Sequence, residues 1–308
     1  SLSKKIKKKI ILLFGPTASG KSRLAVDIAK EYNGEIVNAD SMQVYNEIKI
    51  LSARPNNKDV KHHLYGFISV VENFSVGSWY QLASEKIKQI NRKGKIAIVV
   101  GGTGLYFKVL TDGLVEIPEV PKIDYSYLNP LGAFFMLKHY SSRYPKIFEG
   151  INIKDIQRVS RAISVYSATG ITLSDWQKKK NKKYFEKNEF IKICLLPPKQ
   201  ELEKRIARRF LEMLKNGAIK EVSKYRELGL SMYSLYTANK IIGLEQIGSF
   251  IDKKISMKEL KEGVLIKTRQ YAKRQYTWQR GQMKDWKGFS DTNYLDLRKK
   301  ILSYLSKT

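Results

Sequence analysis

Gly15-Pro16-Thr17-Ala18-Ser19-Gly20-Lys21-Ser22 follows the apolar run Ile10 to Phe14 and opens a helical segment. It matches G-x-x-x-x-G-K-[ST] in the one context where that spacing has a mechanism, a turn from a buried strand into a helix. Glycines let the backbone curl until its N–H groups and the helix N-terminus face an anion, Lys21 adds a charge, and the Ser22 hydroxyl can ligate Mg²⁺. Gly15, Thr17, Ala18, Ser19, Gly20, Lys21 and Ser22 are therefore expected to hold a diphosphate or triphosphate.

The neighbouring sequence keeps the same rhythm. Lys21 to Tyr32 carries Leu24, Ala25, Ile28 and Ala29 on one helical face, and Asn33-Gly34 stops it. A short strand, Glu35 to Asn38, leads into Ala39-Asp40-Ser41. Trp79, Leu82, Ala83, Ile87 and Ile90 mark a second amphipathic helix ended by Gly94, before another buried strand, Ile96 to Val100. Such alternation predicts an α/β fold with a parallel sheet covered by helices. Beyond Asp112 the alternation stops, with Pro118, Pro121 and Pro130 breaking the run. A helix is expected over 155–170, with Ile156, Val159, Ile163 and Tyr166 on its buried face and Gly170 as its cap. Phe190 to Leu196 is strand-like again, and from Pro197-Pro198 onward the pattern is helical. Residues 1–112 and 190–308 are read as one core, and 113–189 as a mainly helical insertion domain.

Composition narrows the class. The 308 residues are 43% hydrophobic, 28% charged and 11% aromatic, which excludes global disorder. No apolar stretch is long enough for a spanning helix. A lone cysteine, Cys194, excludes a disulfide scaffold and fits a reducing, cytoplasmic setting. The 57 Lys+Arg against 29 Asp+Glu leave a net charge of +28. An excess that large draws polyanions, so nucleic acid is the favoured partner over mere compositional bias. Residues 1–9 hold five of these lysines and read as a solvated tail.

The phosphate loop alone makes an ATP or GTP enzyme the default, yet several companions are missing. Asn181-Lys182-Lys183-Tyr184 and Asn239-Lys240-Ile241-Ile242 both lack the aspartate of a guanine-reading N-K-x-D. The strand Ile96 to Val100 runs into Gly101-Gly102-Thr103-Gly104 and carries no terminal acid. Asp40 is the acid at a strand end near the loop, open to three roles: metal ligand, general base, or cap of a following helix.

At this point the residues resemble a family. The phosphate loop, Asn38-Ala39-Asp40-Ser41-Met42-Gln43-Val44-Tyr45, His62-His63-Leu64, Gly101-Gly102-Thr103-Gly104-Leu105-Tyr106-Phe107 and Thr268-Arg269-Gln270-Tyr271-Ala272-Lys273-Arg274-Gln275-Tyr276-Thr277-Trp278 are similar, in order and spacing, to the tRNA dimethylallyltransferases of bacterial type. The resemblance implies that the loop binds dimethylallyl diphosphate with Mg²⁺. It implies that the prenyl group passes to the exocyclic amine of the adenosine just 3′ of a tRNA anticodon. Asp40 then corresponds to the general base, Thr103 to a hydroxyl near the reacting centre, and Arg209 to a functional arginine. Asp40, Ser41, Met42 and Gln43, with Gln157, Arg158, Val159, Ser160 and Arg161, match segments that contact tRNA, and Lys273 joins them from the basic C-terminal stretch.

Some positions depart from the family pattern. Ile153-Lys154-Asp155 replaces the usual approach to Gln157-Arg158, and Leu244 and Glu245 stand where a tyrosine and a basic residue are usual. Two other activities remain open: an adenylate isopentenyltransferase, with the same chemistry on a free nucleotide, and a small-molecule kinase or NTPase built on the same loop. His62 and His63 lack companions for a metal site. Arg205 and Arg209 fall on one helix face, either as anion contacts or as a solvated basic face. The chain is expected to act as a monomer, without a membrane partner.

Overall fold

In the computed structural model, which describes residues 9–56, 58–121, 130–230 and 236–308, the expected alternation becomes a six-stranded, fully parallel sheet of order β3-β2-β4-β1-β5-β6. The lysine-rich tail over residues 1–8 lies outside the described residues. Strand β1 (Ile10–Phe14) sits at the centre, paired with β4 (Ile96–Gly101) on one side and β5 (Phe190–Leu195) on the other. All five of its side chains are buried, so the sequence Ile-Ile-Leu-Leu-Phe shows no alternation. Strand β2 (Gly34–Asn38) lies outside β4, and the two-residue β3 (His62–His63) forms one edge. The opposite edge is β6 (Lys287–Phe289), three residues paired to β5.

Helices cover both faces. α1 (Lys21–Tyr32) and the C-terminal helix pack on one, where Leu24, Ile28, Leu297, Ile301 and Leu305 meet Ile11, Leu13 and Ile98. On the other face lie α2 (Val76–Arg92) and α3 (Gly104–Asp112), whose Trp79 and Tyr106 rings stack at 4.3 Å. The segment predicted as an insertion carries α4 (Pro130–Arg143), α5 (Ile156–Thr169) and α6 (Leu173–Gln177). It has its own small core of Ile147, Val159, Ala162 and Ile163. The expected helix over 155–170 is α5, with Asp155 accepting from the Arg158 N–H and Gly170 at φ 70° closing it. At the stem of the segment, Leu114 and Lys182 exchange backbone hydrogen bonds of 3.2 and 2.9 Å.

After β5 come α7 (Lys199–Lys215), α8 (Ala218–Glu227), α9 (Leu244–Ile251) and the long α10 (Met257–Gln282), with α11 (Tyr294–Lys307) after β6. α7 to α10 build a further core with the segment between β2 and β3, drawing in Val44, Tyr45, Ile48, Phe210, Val222, Ile247 and Leu260. The carboxyl ends of β1, β2 and β4 therefore face a wall made by α7 and α10. Because β4 and β5 flank β1 on opposite sides, this is the end of the sheet where the crossovers diverge and ligands settle. Packing there is tight: a Cβ on Gly101 would sit 2.1 Å from the Ala39 carbonyl oxygen and 2.7 Å from the Asp40 nitrogen, so only glycine lets β4 pass the turn that carries Asp40.

Candidate active site

The loop after β1 has the shape its sequence asks for. Ala18 and Gly20 hold φ of 61° and 87°, the left-handed turns that curl the loop into the start of α1, and the Ser19 N–H closes that curl onto the Pro16 carbonyl at 3.2 Å. Lys21 is buried, and its Nζ lies 3.3 Å from the Pro16 carbonyl, folded over the loop. Burial pushes its pKa down to about 8, with the Asp40 carboxylate opposing and the Arg209 guanidinium adding to the fall. The Ser19 hydroxyl is buried in this cradle with no hydrogen-bond partner. A buried hydroxyl left without a partner in a phosphate-loop turn fits an oxygen-rich anion beside it.

From β2 the chain turns at Asp40. No helix follows it, so of the three roles left open the helix cap is excluded; the carboxylate instead accepts from the Met42 N–H at 2.9 Å and closes a tight turn. Asn38 fixes that turn from behind, its Oδ1 accepting from the Asp40 N–H at 2.8 Å and its Nδ2 donating to the Asp40 and Leu64 carbonyls. Burial raises the Asp40 pKa above the ordinary carboxylate range, held back by Lys21, the Met42 N–H and Arg209. Thr103 precedes α3 but spends its hydroxyl elsewhere, accepting from the Ser41 N–H at 2.9 Å. It therefore ties the end of β4 to the Asp40 turn.

α7 supplies the arginines. Arg209 donates to the Thr17 hydroxyl at 3.1 Å and Arg205 to the Ser19 carbonyl at 3.4 Å, so their shared face meets the loop rather than solvent. Arg208 points outward. Together these elements enclose a cavity of about 290 Å³, into which Thr17, Lys21, Asp40, Ser41, Met42 and Arg209 project. Leu51, Ile206, Phe210, Met213, Ile241 and Val264 give it an apolar side. Its charged lining is Lys21, Arg209, Lys240 and Arg274 against the single acid Asp40.

The other expected residues are placed differently. Gln43 is buried, and its Nε2 donates to the carbonyls of Ser52 and Ala53 at 2.9 and 3.1 Å, so it braces the wall behind the cavity. On α5, Val159 turns its side chain into the small helical core. Arg158 and Arg161 are exposed on the same helix, Arg158 beside Asp155 at 3.3 Å, and Gln157 and Ser160 are half-buried. Lys273 is exposed on α10. His62 and His63 are structural: His63 Nε2 meets the buried Glu35 carboxylate at 2.7 Å, and His62 Nδ1 meets the Val60 carbonyl at 2.7 Å. Among the described residues no three His, Cys, Asp or Glu side chains cluster as a metal site.

Sequence reasoning missed Tyr271, Gln275, Arg274 and Lys240 as cavity residues. Tyr271, which enters the sequence reading only as part of the Thr268 to Trp278 motif, lines the cavity beside Asp40, and burial keeps its hydroxyl protonated.

The sequence pattern of the IPP transferase family matches residues 43–282, and that of the isopentenyl transferases matches residues 8–69. A tRNA dimethylallyltransferase of Pelagibacter ubique is 45% identical over 285 residues, 90% of each chain. The chain belongs to the IPP transferase family. A second relative in this family, the tRNA dimethylallyltransferase of Parvibaculum lavamentivorans, is 40% identical over 301 residues, 96% of this chain and 95% of its own. Among solved structures, a tRNA isopentenylpyrophosphate transferase from Bacillus halodurans superposes with a TM-score of 0.68 at 26% identity, covering 97% of both chains. A eukaryotic dimethylallyltransferase captured acting on tRNA gives a TM-score of 0.76 at 25% identity, covering 96% of this chain and 77% of that one. The IPP transferase fold thus accounts for the sheet, the loop and the helical wall together. Among the described residues no helix is long and apolar enough to cross a membrane.

Proposed function

We propose that the protein transfers a dimethylallyl group from dimethylallyl diphosphate to the exocyclic amine of the adenosine 3′-adjacent to the anticodon in tRNA. The observation that carries this reading is the convergence of the phosphate loop and Asp40 on one cavity with an apolar side. A nucleotide triphosphate would need a surface that reads its base; a short branched chain needs only an apolar wall beside a diphosphate site.

The adenine nitrogen forms a bond to the allylic carbon as the carbon–oxygen bond breaks, and the diphosphate leaves with the electron pair. The amine proton passes to the Asp40 carboxylate. Lys21, Arg209 and the loop N–H groups face the oxygens on which charge grows, so they stabilise the transition state more than the ground state. Asp40 is buried enough to be a stronger base than a solvated carboxylate, as removal of an amine proton requires. Mg²⁺ would be held by the Ser22 hydroxyl on the first turn of α1 and by the diphosphate itself, a sparse protein set that suits an ion which keeps much of its water, and would supply further charge neutralisation. The adenine must leave its stack to reach Asp40, at a cost of a few kcal/mol that contacts to the displaced nucleotide offset.

Residues 113–189 are proposed to act as a separate helical unit that meets the anticodon stem and loop through Gln157, Arg158, Ser160 and Arg161, while Lys273 contacts phosphates from the core side. Free tRNA sits in the cytoplasm, where the enzyme is proposed to work. tRNA affinity is expected to fall steeply with salt, with a log–log slope of about −0.7 to −0.9 per phosphate contact. Arg158→Ala and Lys273→Ala should each weaken binding and flatten that slope by about one contact. Filter binding between low and physiological salt measures both, and a flat response would leave the +28 charge without an RNA role.

The direct test is incubation of unmodified tRNA with dimethylallyl diphosphate and Mg²⁺, then mass analysis of the nucleosides. Adenosine gaining one five-carbon unit is the expected product. Parallel reactions with AMP as acceptor, and with ATP in place of the prenyl donor, separate the free-nucleotide and kinase readings.

A further inference from the structure

Gln275 is the buried polar side chain that the chemistry above leaves unused. It lies on α10, 5% exposed, two residues after the exposed Lys273. Its Oε1 accepts the Thr17 N–H at 3.2 Å, and its Nε2 donates to the Gly102 carbonyl at 2.9 Å. One amide therefore joins the phosphate loop after β1 to the glycine turn after β4. The fit leaves no slack, since a Cβ on Gly102 would fall 2.3 Å from Nε2.

Thr17 is held a second time, by Arg209 on its hydroxyl. The residue before the inward-turning Ala18 is thus pinned from α10 through its backbone and from α7 through its side chain. With the Thr17 N–H fixed onto Gln275 and the Ser19 N–H onto the Pro16 carbonyl at 3.2 Å, the curl of the loop is set, and the N–H groups at the start of α1 are left for the anion. The other half of the amide holds Gly102, whose neighbour Thr103 anchors the Ser41 N–H. Both the diphosphate cradle and the Asp40 turn are reached through one side chain.

We infer that Gln275 is a positioning residue for the diphosphate site, setting the shape of the phosphate loop through its paired bonds to Thr17 and Gly102. This rests on the transferase reading for its consequence in turnover. Its primary readout, inorganic diphosphate binding, does not.

Replacement by an apolar side chain of similar volume leaves the Thr17 N–H buried without a partner, and the loop must turn to solvate it. Gln275→Leu and Gln275→Met, two shapes in case one disturbs folding, should each weaken the Kd for inorganic diphosphate with Mg²⁺, by calorimetry, by about 10-fold. Thermal midpoints and tRNA affinity should stay near wild type, and the KM for dimethylallyl diphosphate should rise while that for tRNA does not. Lys273→Ala supplies the crossed control, raising the KM for tRNA and leaving diphosphate affinity unchanged. Wild-type diphosphate affinity in both apolar variants overturns the inference. So does an equal loss of diphosphate and tRNA binding, or failure of both variants to fold, which would mark a general packing role. A wild-type enzyme that binds diphosphate but transfers no prenyl group overturns the functional reading instead.

Discussion

Asp40→Asn should keep tRNA bound and lower single-turnover prenyl transfer by about 100-fold or more. The substitution is chosen because the asparagine carbonyl can still accept the Met42 N–H that closes the turn at 2.9 Å, so geometry survives while the base is lost. Burial raises the Asp40 pKa, which means the ionised form is costly in the folded protein and the neutral form favoured. Two signs follow. As pH falls through the raised pKa, wild-type transfer should drop earlier than an ordinary carboxylate would dictate, because the base becomes protonated. At neutral pH the variant should melt no lower than wild type, since it no longer buries a charge. Rapid-quench kinetics with saturating tRNA measure the rate. A rate within a few-fold of wild type would leave Asp40 with only its role in the turn.

What the sequence revealed, and what it hid, follows from how local each signal was. The loop Gly15 to Ser22, α1 and the central strands were legible because spacing, caps and buried apolar runs all lie within a few residues of one another. Strands β3 and β6 were not: two histidines and Lys-Gly-Phe carry no periodicity, and become strands only by pairing with β2 and β5. A long-range partner decides them, so His62-His63 gives no strand signal and Lys287 to Phe289 falls inside a stretch whose pattern reads as helical. Gln43 and Val159 were assigned to RNA by their place in a motif, and both turned inward because the motif records position along the chain, not which face of the turn or helix is buried. The helical wall was the largest loss. Its core joins residues 42–70 to four helices far along the chain, a contact no window of sequence reveals. That wall is what carries Tyr271, Arg274 and Gln275 into the cavity, so the donor loop was foreseen and its supports were not.

Lys21→Ala should cut transfer by at least 100- to 1000-fold, about 3–4 kcal/mol of transition-state stabilisation, while tRNA affinity stays close to wild type. Lys21 is buried and folded over the phosphate loop, whereas the surfaces proposed for RNA lie on α5 and the outer face of α10. Its pKa makes the effect readable without any mutation. Burial lowers it from the ordinary lysine value to about 8, so in the empty enzyme the ammonium is lost as pH rises through about 8. Only the charged form binds diphosphate well, so kcat/KM for the donor should fall on the alkaline side with that midpoint. Bound diphosphate, by reciprocity, holds the proton on Lys21 and should move the corresponding limb of kcat upward. Together with the acid limb set by Asp40, the donor kcat/KM profile should be bell-shaped. Lys21→Arg retains a charge at every accessible pH, and should remove the alkaline limb even where its geometry lowers the maximum. If the limb near 8 persists in the arginine variant, another group titrates there and Lys21 is not the cation that governs donor binding.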